Sequence, residues 1–178
     1  MTWDWVTSLS NRIKRATLFI CVLFAACGGS TNSGKPTPSV FEDIIPLPRI
    51  GGGRLSGSDF DGKVVVLDFW ASWCQPCLVS LPRLVAMQEE YKADGLLIVG
   101  VTMQSDPVLV QTLIAKHGIS YPLVVGNNKT IETYGLTGFP TVVVVGRDGA
   151  VVQVFDGMPQ PGALRQTIAP LLAERTPA

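Results

Sequence analysis

Apolar and polar positions divide the chain into stretches of different period. Val64-Val65-Val66-Leu67 is an unbroken aliphatic run, and it continues to Trp70 interrupted only by Asp68. A run this continuous is wrong for a strand with one wet face and predicts a central strand buried on both sides. After Cys77 the period changes. Leu78, Leu81, Leu84, Val85 and Met87 recur at helical spacing through Tyr91, with Pro82 expected to kink the helix and Gly95 to close it. Leu96 to Val101 reads as a second buried strand. Asp106 can cap a further helix whose first turn suits Pro107, and which ends at His117-Gly118. Thr130 to Tyr134 predicts a short helix and Thr141 to Val145 a third strand. Arg147-Asp148-Gly149 predicts a hairpin turn, with Val151 to Phe155 returning antiparallel, before an amphipathic helix over Pro161 to Arg175. Upstream, Phe41 to Leu47 and Leu55 flank the turn-rich stretch Arg49 to Arg54, which predicts a β-hairpin or loose extended pair. The order is βαβ followed by αββα. It specifies an α/β domain, a central mixed β-sheet flanked by helices with an N-terminal β extension.

The first residues follow a different rule. Arg12, Lys14 and Arg15 precede an apolar run from Ala16 to Ala26, and Cys27-Gly28-Gly29-Ser30 follow. Charged, then apolar, then small is the order of a secretory signal, and the run is short of the roughly 20 residues that span a bilayer. An uncleaved anchor is the alternative. Leu23-Phe24-Ala25-Ala26-Cys27 resembles a bacterial lipobox, with Phe24 where leucine is usual. That resemblance implies a signal peptide over 1–26, lipidation of Cys27 and a membrane-tethered lipoprotein on the periplasmic side. Gly, Ser, Thr, Asn and Pro dominate 27–39, which reads as a flexible linker. The folded domain then occupies 40–178.

Charge narrows the partners little. Basic and acidic residues number 14 each, so no basic surplus points to nucleic acid, and none is expected as a partner. Cysteines are more informative. Of Cys21, Cys27, Cys74 and Cys77, the first would leave with the signal and the second would carry lipid. A structural disulfide framework needs more cysteines at wider spacing, and a zinc site needs four ligands where the chain has a single histidine, His117. No metal is expected. Cys74 and Cys77, two residues apart and directly after a strand, are suited to redox work. At the strand-to-helix junction Cys74 meets the unpaired N–H groups and positive dipole end of the helix, which favour its thiolate, and only the thiolate attacks. The second sulfur lies within reach one turn on. Cys74 is then the nucleophile on a partner disulfide and Cys77 the residue that resolves the mixed disulfide.

Asp68-Phe69-Trp70-Ala71-Ser72-Trp73-Cys74-Gln75-Pro76-Cys77, then Gly138-Phe139-Pro140-Thr141 and Gly146-Arg147-Asp148-Gly149, resemble the thioredoxin superfamily. Gly62-Lys63-Val64 and the longer segment between Gly100 and Tyr134 make the chain most similar to its exported TlpA/ResA-type reductases, over about 40–172. The resemblance implies a thioredoxin fold and a thiol–disulfide oxidoreductase. It implies no cofactor beyond the Cys74–Cys77 disulfide. Its partners would be exported cysteine-containing proteins, among them apocytochromes before haem attachment, and a membrane thiol electron donor. It makes Asp68 a buried acid exchanging a proton with Cys77, and Pro140 a cis-proline beside the cysteines. Trp73, Gln75, Pro76, Phe139 and Pro140 would form the substrate-binding surface, with Phe139 either a docking surface or core filler. Ser80 stands where the TlpA/ResA group often carries glutamate, which leaves Asp68 as the acid.

Three other activities compete. A strong oxidant of folding proteins would use the same cysteines in the opposite direction. A thiol peroxidase of the peroxiredoxin type needs Thr or Ser three residues before its cysteine, where this chain has Ala71. A Cu(I) metallochaperone would hold its ion on Cys74 and Cys77 as two soft ligands.

Overall fold

The computed structural model describes residues 40–174. The expected signal peptide with Cys21, the expected lipidation site Cys27 and the expected linker lie outside them. Five strands form one sheet: β1 (Val64–Trp70), β2 (Leu96–Thr102), β3 (Leu123–Val125), β4 (Thr141–Val145) and β5 (Val151–Asp156), in the order β3-β2-β1-β4-β5. β1 and β2 pair in parallel, β2 and β3 also, while β4 runs antiparallel to both β1 and β5. The described helices are α1 (Gln75–Tyr91), α2 (Pro107–His117), α3 (Asn128–Tyr134) and α4 (Ala163–Ala173).

β1 is the centre of the sheet and every residue of it is buried. Side chains alternate across a strand, so β1 serves two cores at once. Val64, Val66 and Trp70 pack with Leu81 and Leu84 of α1, Val110 and Leu113 of α2, and Ile168 of α4. Val65, Leu67 and Phe69 face the opposite layer, with Phe41, Ile44, Leu47 and Phe60 and the half-buried Ile131 and Tyr134 of α3. The continuous aliphatic run is thus explained by two covered faces. α1 runs unbroken across Pro82. The Asp106 carboxylate caps α2 by accepting from the N–H groups of Val108 and Leu109, and Gly118 ends that helix at φ 62°.

Two expectations change. The N-terminal β extension is reduced to a single antiparallel bridge of Arg49 with Val124, on the outer edge of β3. The residues before it form turns, and Phe41, Ile44 and Leu47 point inward at helical rather than strand spacing. β3 is an additional strand between α2 and α3. Its three residues extend the sheet to the edge where Arg49 docks.

At the end of the sheet away from the cysteines, Arg147 follows β4. Its guanidinium donates to the carbonyls of Gly62, Asp94, Leu171 and Leu172 at 2.7–3.2 Å. One side chain thereby joins the entry to β1, the entry to β2 and the end of α4.

Candidate active site

β1 ends at Trp70 and the chain turns through Ala71-Ser72-Trp73 into α1. This delivers Cys74 to the N-cap of α1, in extended backbone, where its sulfur accepts from the Cys77 N–H at 3.3 Å. Cys74 and Cys77 form a disulfide, their Cα atoms 5.3 Å apart. The two sulfurs differ in access. Cys77 is fully buried, whereas Cys74 retains 4% exposure and is flanked by the exposed Gln75 and Pro76. Ser80, one turn on, turns its hydroxyl back to donate to the Cys77 carbonyl at 2.6 Å.

The surface around Cys74 is aromatic. Trp73 is 58% exposed, while Trp70 is buried beneath the site. The Trp73 indole N–H donates to the Gln104 carbonyl at 3.2 Å. Gln104 adopts φ 46°, a left-handed conformation uncommon outside glycine, and in doing so presents that carbonyl. Ser105 fastens the same loop to the site: its hydroxyl accepts from the Ser72 N–H at 2.9 Å, and the Ser72 hydroxyl accepts from the Asp106 N–H at 3.2 Å. On the other side, the edge of Phe139 meets Trp73 at 6.0 Å between ring centroids. Phe139 is half-buried against the core, so it both fills volume and borders the site. The Phe139–Pro140 peptide bond is cis. Trp73, Gln75, Pro76, Phe139 and Pro140 therefore come from two separated segments, and the Trp73–Phe139 contact joins them.

Asp68 lies behind this surface, fully buried on β1. By strand alternation it shares the face of Val66 and Trp70, the face that packs against α1 and both cysteines. Neither carboxylate oxygen has a hydrogen-bond partner among the described residues. Burial accordingly pushes its pKa up to about 7, into the range where a carboxyl can take and give a proton near neutrality. Its register partner across β2 is Gly100. A Cβ there would lie 2.3 Å from Leu123 Cδ2, 3.2 Å from Trp70 Nε1 and 3.3 Å from the Tyr121 ring. Gly100 thus leaves the space that Trp70 and Tyr121 fill beside Asp68. Burial, and then the Asp68 charge, raise the pKa of the Tyr121 hydroxyl, which stays protonated. Tyr121 carried no motif in the sequence. Its one signal is a tyrosine directly before Pro122 and an apolar pair.

His117 ends α2 in its last turn, well apart in sequence from the cysteines, as a capping position would have it.

The Redoxin family model matches residues 33–168. Among curated relatives, the thiol-disulfide oxidoreductase ResA of Bacillus subtilis is 28% identical over 143 residues, covering 79% of this chain and 80% of that protein. ResA of Bacillus anthracis is 30% identical over 154 residues, covering 83% and 89%. Among solved structures, a protein assigned as thiol:disulfide interchange protein DsbE from Chlorobium tepidum superposes with a TM-score of 0.65 at 34% identity, covering 74% of this chain and 96% of that one. With a disulfide at the head of α1 and a cis-proline beside it, the chain belongs to the Redoxin family and is a thiol–disulfide oxidoreductase of the TlpA/ResA type.

Proposed function

We propose that the chain reduces disulfides of exported proteins, with Cys74 as the attacking sulfur. The observation that carries this reading is the asymmetry of the pair: Cys74 reaches the surface at a helix N-terminus, and Cys77 is sealed behind it. In the reduced protein the Cys74 thiolate attacks a substrate sulfur. That bond forms as the substrate S–S bond breaks, and the departing substrate thiolate takes a proton. Cys77 then gives its proton to the Asp68 carboxylate and attacks the Cys74 sulfur. The mixed disulfide breaks, the second substrate thiolate is released, and the Cys74–Cys77 disulfide forms. Two electrons have passed to the substrate, and a dithiol donor must return two to this chain. Trp73, Gln75, Pro76, Phe139 and Pro140 border the substrate, and the redox couple is the disulfide itself.

The sequence of the first 39 residues supports a site of action outside the cytoplasm. A cleaved signal and a lipidated Cys27 would tether the domain to a membrane by its linker, on the extracytoplasmic side. Among the described residues no helix is long and apolar enough to cross a membrane. Apocytochrome cysteines awaiting haem are one substrate class such a tether would serve.

Insulin reduction with a dithiol as donor tests the chemistry. Cys74→Ala should abolish turnover; retained turnover would remove Cys74 from the mechanism. A midpoint potential near about −270 mV would mark a reductant, and one near about −120 mV would reverse the direction of electron flow.

A further inference from the structure

A groove of about 460 Å³ opens between α1, the start of β4 and the loop Met158–Gly162 that precedes α4. That volume falls within the roughly 300–1,000 Å³ of ligand clefts. Its floor is apolar: Leu84, Met87, Val142 and Leu164 are all nearly buried there. Met158 and Pro159 form a half-exposed wall. The groove is continuous with the redox site in two ways. Pro140 lines it and is bonded to Phe139, which meets Trp73. Ser80, one turn beyond Cys77, lines it as well. The wall is fastened to the same place, since the Gly157 N–H donates to the Pro140 carbonyl at 2.8 Å.

The charge of the groove has one sign. No carboxylate lines it, and its two charged lining residues are Arg83 and Arg165. Arg165 is already neutralised: it forms a two-pronged pair with Glu90 and lies over the Tyr91 ring at 5.2 Å. Arg83 is exposed and makes no hydrogen bond or ion pair among the described residues. With no carboxylate in the lining, this cation is left unneutralised.

Resting on the oxidoreductase reading above, we propose that Arg83 and the apolar floor make this groove selective for substrate stretches in which an apolar side chain adjoins an acidic one. The apolar side chain enters between Met87 and Met158, whose flexible thioethers adapt to different shapes. The acidic one meets Arg83 at the rim. A rim charge acts mainly on association and specificity and is screened by salt.

Two disulfide-bonded peptides test this, identical except for glutamate or lysine beside a leucine that flanks the cysteine. Each kcat/KM is divided by the same protein's rate on hydroxyethyl disulfide, a neutral substrate too small to fill the groove. The native protein should prefer the glutamate peptide by about three- to tenfold at low ionic strength, and the preference should shrink at about 1 M salt, where the screening length is roughly 3 Å. Arg83→Glu should invert it. Met158→Ala should raise KM for both peptides and leave their ratio unchanged. Equal rates on the two peptides, or a preference that survives Arg83→Glu, would overturn the proposal. So would a dimer, seen by sedimentation, that Arg83→Glu dissolves, since a second copy would then own the groove. A native protein inactive on hydroxyethyl disulfide would instead refute the oxidoreductase reading itself.

Discussion

Asp68 sets two properties against each other. In the unfolded chain its carboxyl titrates near its ordinary value of 3.8, and in the fold at about 7. Between those limits the unfolded chain has lost the proton while the folded chain still holds it. Stability therefore falls as pH rises from about 4 to 7, and above 7 the fold carries a buried charge with no partner. Asp68→Asn removes that charge. Denaturant titration at pH 8 should show the variant more stable than the native protein by on the order of 2 kcal/mol, with the gain vanishing toward pH 4. An unchanged pH profile would assign the dependence to another group. Reduction of insulin by the same variant should slow by about tenfold or more at neutral pH, because a proton acceptor contributes at least that much. Gain in stability with loss of rate separates a proton-exchanging role from a structural one. Asp68 was legible in the sequence because a single acid interrupts an apolar strand. Its neighbours were not. That the Trp70 indole N–H and the Tyr121 hydroxyl are buried without partners beside it depends on how β3 is led back to the sheet, and no local pattern records that.

Among elements, most strands and helices were readable, down to the short helix ending at Tyr134, but β3 and the turns before β1 were not. β1, β2, β4 and α1 each present enough residues for a period to show. Leu123–Val125 is three residues between Pro122 and Gly126, too few to distinguish a strand from a loop. The glycines that follow Phe41, Ile44 and Leu47 predict an extended pair, although the spacing of three between these residues matches one turn of helix. The pairing of β1 with β2 also hides a requirement that no propensity predicts. Gly100 is there for space, since its missing side chain is what lets Leu123, Trp70 and Tyr121 close over the strand. Gly100→Ala should destabilise the protein by about 1–3 kcal/mol in urea unfolding, through overpacking of a full core. A neutral result would mean that Leu123 moves aside freely.

For the molecule as a whole, the sheet separates chemistry from fastening. The disulfide, Trp73 and Pro140 gather where β1 ends and β4 begins, and Arg147 closes the other end, about 20 Å away along a seven-residue strand. The hairpin around Arg147 was predicted from its turn residues, but its guanidinium's acceptors are four backbone carbonyls, which leave no trace in a sequence. Removing them with Arg147→Ala should cost about 2 kcal/mol, given that the hydrogen bonds come from a charged donor. Where that loss appears in time is decided by topology. The carbonyls that Arg147 joins belong to segments far apart along the chain, brought together only once β1, β2 and α4 have docked. Contacts that need several docked elements are expected to form late in folding, and the expectation is tested by the rates. The variant should therefore refold at nearly the native speed and unfold roughly thirtyfold faster, as stopped-flow rates across a denaturant series would reveal. On that outcome Arg147 is a latch, setting the lifetime of the folded state and leaving the speed of its formation to the rest of the chain.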